Sequence, residues 1–428
     1  MSLVPHQAPI DGVRVLACLS VVWCHTFAIA SLLVPPAGSP VHTFFFSDSL
    51  IQWMASGAYA LDVFFMLSGY LLTTQTLAAF AAHRRVSVLE TLLLRMLRLW
   101  PVMLVGLAVE LLLGDTPYDR LSFHLFLSNV GPVSPLPTLL GVAWSNSVDV
   151  QATVAVVAVL LALRASGQLR RRSVVAVIVL LLAARLARFD RAETSLYGIF
   201  VTTRTLAGSS HSRSSTQFLN AHYNFTSPYP LEPLLTSEPP HFPRMYRPTL
   251  MRLSSFLVGT LLALQLQRAD TRSADGTGIL KCALLAASVL VFLLPLVGSD
   301  GEWPLAVDVF VTVFLHTVYA AAAAFILFTA LVREQHRFAA PWLRVFLSAP
   351  VFQALSPLTY AVFVLHMRFV YFFDLSELRP SDGGHTHLFM LKLWLATVVT
   401  SFAVAYIVHL LVEKPAMQLV KHLKARYF

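Results

Sequence analysis

The sequence predicts an all-α polytopic membrane protein, a bundle of about ten transmembrane helices with both termini in the cytosol. Three observations predict it. The 428 residues are 57% hydrophobic and only 12% charged, with a mean hydropathy of +0.69, whereas a soluble globular chain carries about 25% charged residues. Apolar stretches of roughly 20 residues recur along the chain, each long enough for a helix to cross a bilayer. Arginine and lysine concentrate in alternate connections between them. In lipid only helices and closed barrels satisfy their own backbone, and stretches of this length are helices.

The candidate spans run approximately over 11–33, 57–80, 91–113, 146–164, 173–189, 248–266, 279–297, 304–331, 346–373 and 388–412. The connections after the even-numbered spans are basic. Arg84 and Arg85 follow the second and lead to Arg95 and Arg98; Arg164, Arg170, Arg171 and Arg172 follow the fourth. The tail carries Lys414, Lys421, Lys424 and Arg426. The short odd-numbered connections are poor in basic residues, so the positive-inside rule puts both termini in the cytosol. The whole of 1–428 reads as one membrane domain. The 190–247 segment, rich in Ser, Pro and His, is a long lumenal or extracellular loop between spans five and six; long loops translocate regardless of charge. Its Asn224-Phe225-Thr226 sequon fits that side.

The net charge of +9 resides in these topology determinants, with no basic patch or motif for nucleic acid. Cys18, Cys24 and Cys282 lie in or beside apolar segments, and no zinc-type, P-loop, GxGxxG or GxSxG pattern is present. No metal or resident cofactor is expected. The first apolar run contains Arg14 and no Lys or Arg precedes Asp11, so the first span reads as retained rather than cleaved.

Span one, DGVRVLACLSVVWCHTFAIASLL, holds Arg14 and His25. Eleven positions are three helical turns, which places both on one face roughly 16 Å apart along the axis. An ionisable residue inside a span points to function; the alternative is a snorkelling arginine and a packed histidine. Span two carries Asp62 near its start, and Ser68-Gly69, a small pair that lets another helix approach. Arg95 and Arg98 open span three on one face, at the level of Arg14. Three guanidiniums together suit phosphate oxygens, although Arg95 and Arg98 also fit ordinary interfacial anchors. Span four opens with Trp144 and Asp149, the acid being either functional or a helix-start residue. Arg252 lies in span six. In span nine Ser356, Thr359, Phe363 and His366 form one stripe beside Tyr360, with His366 expected against neighbouring hydroxyls. Glu413-Lys414-Pro415 closes span ten, the proline marking its stop.

These residues resemble a family. DGVRVLACLSVVWCH resembles the opening motif of the acyltransferase 3 family, where Asp-Gly-x-Arg is followed, ten intervening residues on, by His. LDVFFMLSGYLL is similar to its second-span signature, and RMLRLWP to its Arg-x-x-Arg-aromatic-Pro. LTYAVFVLH and VEKPA resemble its late Ser-Tyr-x-x-Tyr-Leu-x-His and closing Glu-Arg-Pro segments. Asp149-Val150-Gln151 and Tyr246-Arg247-Pro248 with Arg252 resemble the eukaryotic branch typified by the nose-resistant-to-fluoxetine proteins. His316 stands about where that resemblance expects an arginine.

The resemblance implies transfer of an acyl group from acyl-CoA to a hydroxyl on a carbohydrate or lipid-linked acceptor, in an endomembrane or the plasma membrane, among membrane lipids. On that basis Arg14, Arg95 and Arg98 would hold the donor's phosphates. His25 would act as general base or be acylated itself. Asp149 would orient His25 or the acceptor. Tyr360, Trp144 or backbone N–H groups are candidates for the oxyanion. Asp62, Arg252, His366 and Glu413 are further polar positions in the membrane. The competing class is a proton-coupled transporter relaying through the same polar residues; no inverted repeat supports it.

Overall fold

The computed structural model describes residues 7–31, 53, 56–112, 126–129, 142–189, 248–269, 278–293, 304–370 and 386–427. Among them there is no strand. The helices are α1 (Ala8–Ser31), α2 (Ala60–Ala81, entered through a 3₁₀ turn), α3 (Val88–Leu112), α4 (Ala143–Ala165) and α5 (Arg171–Ala187). There follow α6 (Thr249–Ala269) and α7 (Gly278–Leu293), α8 (Leu305–Leu331), the short α9 (Pro341–Leu347), α10 (Pro350–Val370), α11 (Thr386–Val408) and α12 (Lys414–Tyr427). Each expected span falls on a helix. Eight helical stretches are long and apolar enough to cross a membrane; α5, with 17 residues, and α7, with 16, are shorter. The 190–247 loop, with Asn224, lies outside the described residues.

Burial follows the membrane reading. Val179 and Leu180 on α5, and Val399, Tyr406 and Ile407 on α11, are exposed, an apolar outer surface of the kind that lipid covers. The interior is organised around a close crossing of α2 and α6. A Cβ on Gly69 would stand 2.0 Å from the Phe256 carbonyl oxygen, and one on Gly259 would stand 2.0 Å from that of Met66. Only glycine permits the two backbones to meet there. The hydroxyls of Thr73 and Thr260 bond across the same crossing at 2.9 Å.

Two expectations about helix ends are corrected. The proline of Glu413-Lys414-Pro415 does not stop the last span. The chain passes through a π turn, His409–Glu413, into α12, with Pro415 in its first turn. A proline lacks only the donor that a first-turn residue has no use for, and the wider π turn absorbs the mismatch. The ninth span is likewise not one rod from 346. It starts afresh at Pro350, because Ser348-Ala349 breaks the chain between α9 and α10, and a 3₁₀ turn at Ser356–Leu358 carries Pro357.

Candidate functional site

The site begins with two parallel helices. α1 and α10 are joined by three cross-links at nearly constant sequence offset. The Arg14 Nη1 donates to Ser356 Oγ at 3.1 Å. The Cys18 thiol reaches the Thr359 carbonyl at 3.6 Å. At the third, His25 Nδ1 lies 2.6 Å from His366 Nε2. The offsets are 342, 341 and 341 residues, so both helices rise together and the stripe read in span nine faces the stripe read in span one. Ser356 Oγ also donates to Asp11 Oδ1 at 2.7 Å, and Asp11 stands 3.8 Å from Arg14. The Asp-Gly-x-Arg motif is thereby tied at one end of the rail and the histidine at the other.

The two histidines differ in exposure. His366 is fully buried, whereas His25 is intermediate in exposure. The rings are nearly coplanar, 19° apart, with centroids at 4.9 Å, the separation of two imidazoles joined edge to edge through nitrogen. His366 is therefore not packed on hydroxyls, as the sequence suggested: its partners are His25 and the Val362 and Phe363 carbonyls.

At the Arg14 level the three arginines gather but are not equivalent. Arg95 donates through Nε and Nη2 to the two carboxylate oxygens of Asp149, both at 2.6 Å, and through Nη2 to Ser68 Oγ at 2.6 Å. Arg14 has its serine and aspartate. Arg98 is exposed and has no hydrogen bond or ion pair among the described residues, yet it acts electrostatically on Arg14 and feels Arg95, Glu413, Asp149 and Tyr360. The Tyr360 hydroxyl donates to the Leu99 carbonyl at 3.0 Å, one residue beyond Arg98. Glu413 accepts from or pairs with His409 at 2.9 Å in the π turn.

Three sequence assignments change. Asp149 does not touch His25; its carboxylate is the counter-ion of Arg95, because a bidentate guanidinium–carboxylate pair satisfies both groups away from water. Tyr360 belongs with the arginines. Trp144 lies beside a different cluster, with the Arg252 guanidinium 5.9 Å from its ring centre.

That second cluster is closed. Arg252 Nη1 reaches Asp62 Oδ2 at 3.0 Å, His316 Nδ1 lies 2.7 Å from Asp62 Oδ2, and Ser255 donates to Asp62 Oδ1 at 2.8 Å. Asp62 and Arg252 are 0% exposed. Beside it Arg185, fully buried, donates to the Met251 and Thr312 carbonyls at 3.1 and 2.6 Å. Buried charges persist in such places only when paired and hydrogen-bonded, and this group locks α2, α5, α6 and α8 together. His316, standing where an arginine was expected, completes it. Ser68, Ser356 and His409 went unremarked or unassigned in the sequence; the spacings of Arg14–His25 and Ser356–His366, eleven and ten residues, are the signal that pairs the two rails.

Among the described residues no three His, Cys, Asp or Glu side chains gather to hold a metal ion. Neither the curated proteins nor the solved structures gave a match to this chain. A family model, described as an acyltransferase domain, matches residues 8–412, a range that takes in both rails and the arginine cluster. The chain belongs to that family, Acyl_transf_3, and is an integral multi-pass membrane acyltransferase.

Proposed function

We propose that the protein moves an acyl group from cytosolic acyl-CoA to a hydroxyl of a carbohydrate or lipid-linked acceptor on the far side of the membrane, with both termini in the cytosol. The observation that carries this reading is the α1–α10 rail, with cations at one level and the His25 imidazole about 16 Å further along. CoA is a polyanion that does not enter hydrocarbon, so its phosphates stay with cations near an interface. Arg98, exposed and unpaired among the described residues, and Arg14, with part of its side chain exposed, are the groups for this. Arg95 serves them indirectly, held by Asp149. The pantetheine arm then has the length to bring its thioester to His25.

In the reaction a neutral His25 takes the proton from the acceptor hydroxyl as its oxygen attacks the thioester carbonyl. The tetrahedral intermediate collapses with cleavage of the C–S bond, and the imidazolium returns the proton to the departing sulfur, giving ester and free CoA thiol. Direct acylation of His25 would use the same position. The transporter reading has less to support it, since the Asp62–Arg252–His316 group is fully buried and Asp62 is paired with Arg252.

The test is purified protein in lipid vesicles supplied with labelled acetyl-CoA and longer acyl-CoAs, wild type against His25→Ala. Wild type consumes donor and His25→Ala does so at least 100-fold more slowly, on the order of what a lost general base costs. Equal consumption by the two proteins, or gradient-driven uptake with no donor consumed, refutes the proposal.

A further inference from the structure

We infer that His366 is a positioning residue that holds neutral His25 in its Nδ1–H tautomer, leaving the Nε2 lone pair of His25 as the base. The inference rests on the reading of His25 given above, and it follows from counting protons along the hydrogen bonds. His366 Nδ1 lies 3.0 Å from the Val362 carbonyl oxygen and 2.9 Å from that of Phe363. Carbonyl oxygens only accept, so this nitrogen carries a proton.

A neutral imidazole with Nδ1 protonated has a bare Nε2. That Nε2 faces His25 Nδ1 at 2.6 Å, and one of the two nitrogens must donate. The donor is therefore His25 Nδ1. The near-coplanar rings aim the N–H of one along the lone pair of the other, the geometry such a bond requires.

A doubly protonated His366 would reverse the assignment. It would also place a cation in a fully buried position where neither ring is paired with a carboxylate among the described residues, an arrangement that burial opposes. His366 thus does for His25 what a buried aspartate does in a serine-hydrolase triad. It fixes the tautomer and the ring plane, and accepts the Nδ1–H bond that strengthens when His25 takes a proton. Unlike the aspartate it brings no charge, which suits a site inside a bilayer. Of the pair, His25 is the less buried residue, His366 being 0% exposed.

The experiment is nitrogen-15 NMR of histidine-labelled protein in lipid bilayers, the His25 signals being identified by their loss in His25→Gln. The expected result is a His25 protonated at Nδ1 and bare at Nε2. Two variants separate orientation from packing. His366→Gln puts an amide oxygen near the place of Nε2 and accepts the same bond. His366→Asn keeps a donor for the backbone carbonyls and is too short to reach His25.

Gln is expected to retain the tautomer and acyl transfer within about tenfold. Asn is expected to release the tautomer and lower kcat by about 10² to 10⁴, the upper figure being the cost of the wrong tautomer in the protease triad, with KM for acyl-CoA unchanged. A wild-type His25 protonated at Nε2 overturns the inference. So does an Asn variant that matches Gln in both tautomer and kcat. If the tautomer is as expected but His25→Ala transfers acyl groups as fast as wild type, the function proposed for His25 fails while the geometry of the pair stands.

Discussion

Arg14, Arg95 and Arg98 carry the same charge in three different circumstances, and substitution should separate them. Arg98 makes no hydrogen bond among the described residues and is exposed. Arg98→Ala should leave the thermal unfolding midpoint nearly unchanged, within the roughly 0.5 kcal/mol typical of surface sites, while raising KM for acyl-CoA about tenfold or more. Arg95→Ala should instead cost about 1–3 kcal/mol, because the partly buried Asp149 carboxylate loses its bidentate partner. Removing Asp149 as well should restore much of that loss, and unfolding of the two single variants and the double variant measures the coupling. Equal KM effects from both arginines, with no stability difference, would place Arg95 in direct contact with donor. The presence of Arg14, Arg95 and Arg98 at one level was legible from helical spacing. Their division of labour was not, since Asp149 lies 54 residues from Arg95 and nothing local in the sequence marks it as a counter-ion rather than a helix-start acid. The same holds for His366. Its stripe was visible, but its partner on α1 lies 341 residues away.

At the scale of elements, the helices were readable because lipid imposes one length and one composition on every span. Departures came where polar chemistry intervened, at the Ser348-Ala349 break and at the π turn before Pro415. The α2–α6 crossing was half legible: Ser68-Gly69 announced a close approach, but Ser68 turns to Arg95 and only Gly69 meets α6. Gly69→Ala puts a methyl within 2.0 Å of a backbone oxygen, which no rotamer relieves. The helices must separate, loosening the Thr73–Thr260 bond and the Asp62–Arg252 pair on the same two helices. The expected outcome is a loss of several kcal/mol, above the roughly 1–3 of ordinary overpacking, seen as a lowered unfolding midpoint in detergent. Asp62→Ala, which strands the buried Arg252 charge, should cost about 3–5 kcal/mol by the same assay. A midpoint unchanged by either substitution would mean that α2 and α6 do not cross as described.

At the scale of the whole molecule, charge is stacked in two layers. Asp11 and Arg14 lie within about two turns of the start of α1, and Arg95 and Arg98 within about three turns of the start of α3, which follows the 82–87 connection; Glu413 joins them from the last span. Asp62, Arg185 and Arg252 lie within about one turn of the opposite helix ends. Arg98 in the first layer is exposed, so the compartment that layer faces decides whether cytosolic acyl-CoA can reach it. On the proposed topology the basic connections face that layer to the cytosol. Of the cysteines, Cys18 and Cys24 are buried and Cys282 is exposed, so Cys282→Ser gives a background against which single new cysteines can be read. Arg84→Cys, in the exposed 82–87 connection, should react with a membrane-impermeant maleimide from the cytosolic face and stay unlabelled from the other. Asn224, if the sequon is used, should carry glycan on the far side. Labelling of Arg84→Cys from the far side would turn Arg14 and Arg98 away from the cytosolic donor. The proposed path along α1 would then run in the wrong direction, and a donor from the other compartment would have to be sought.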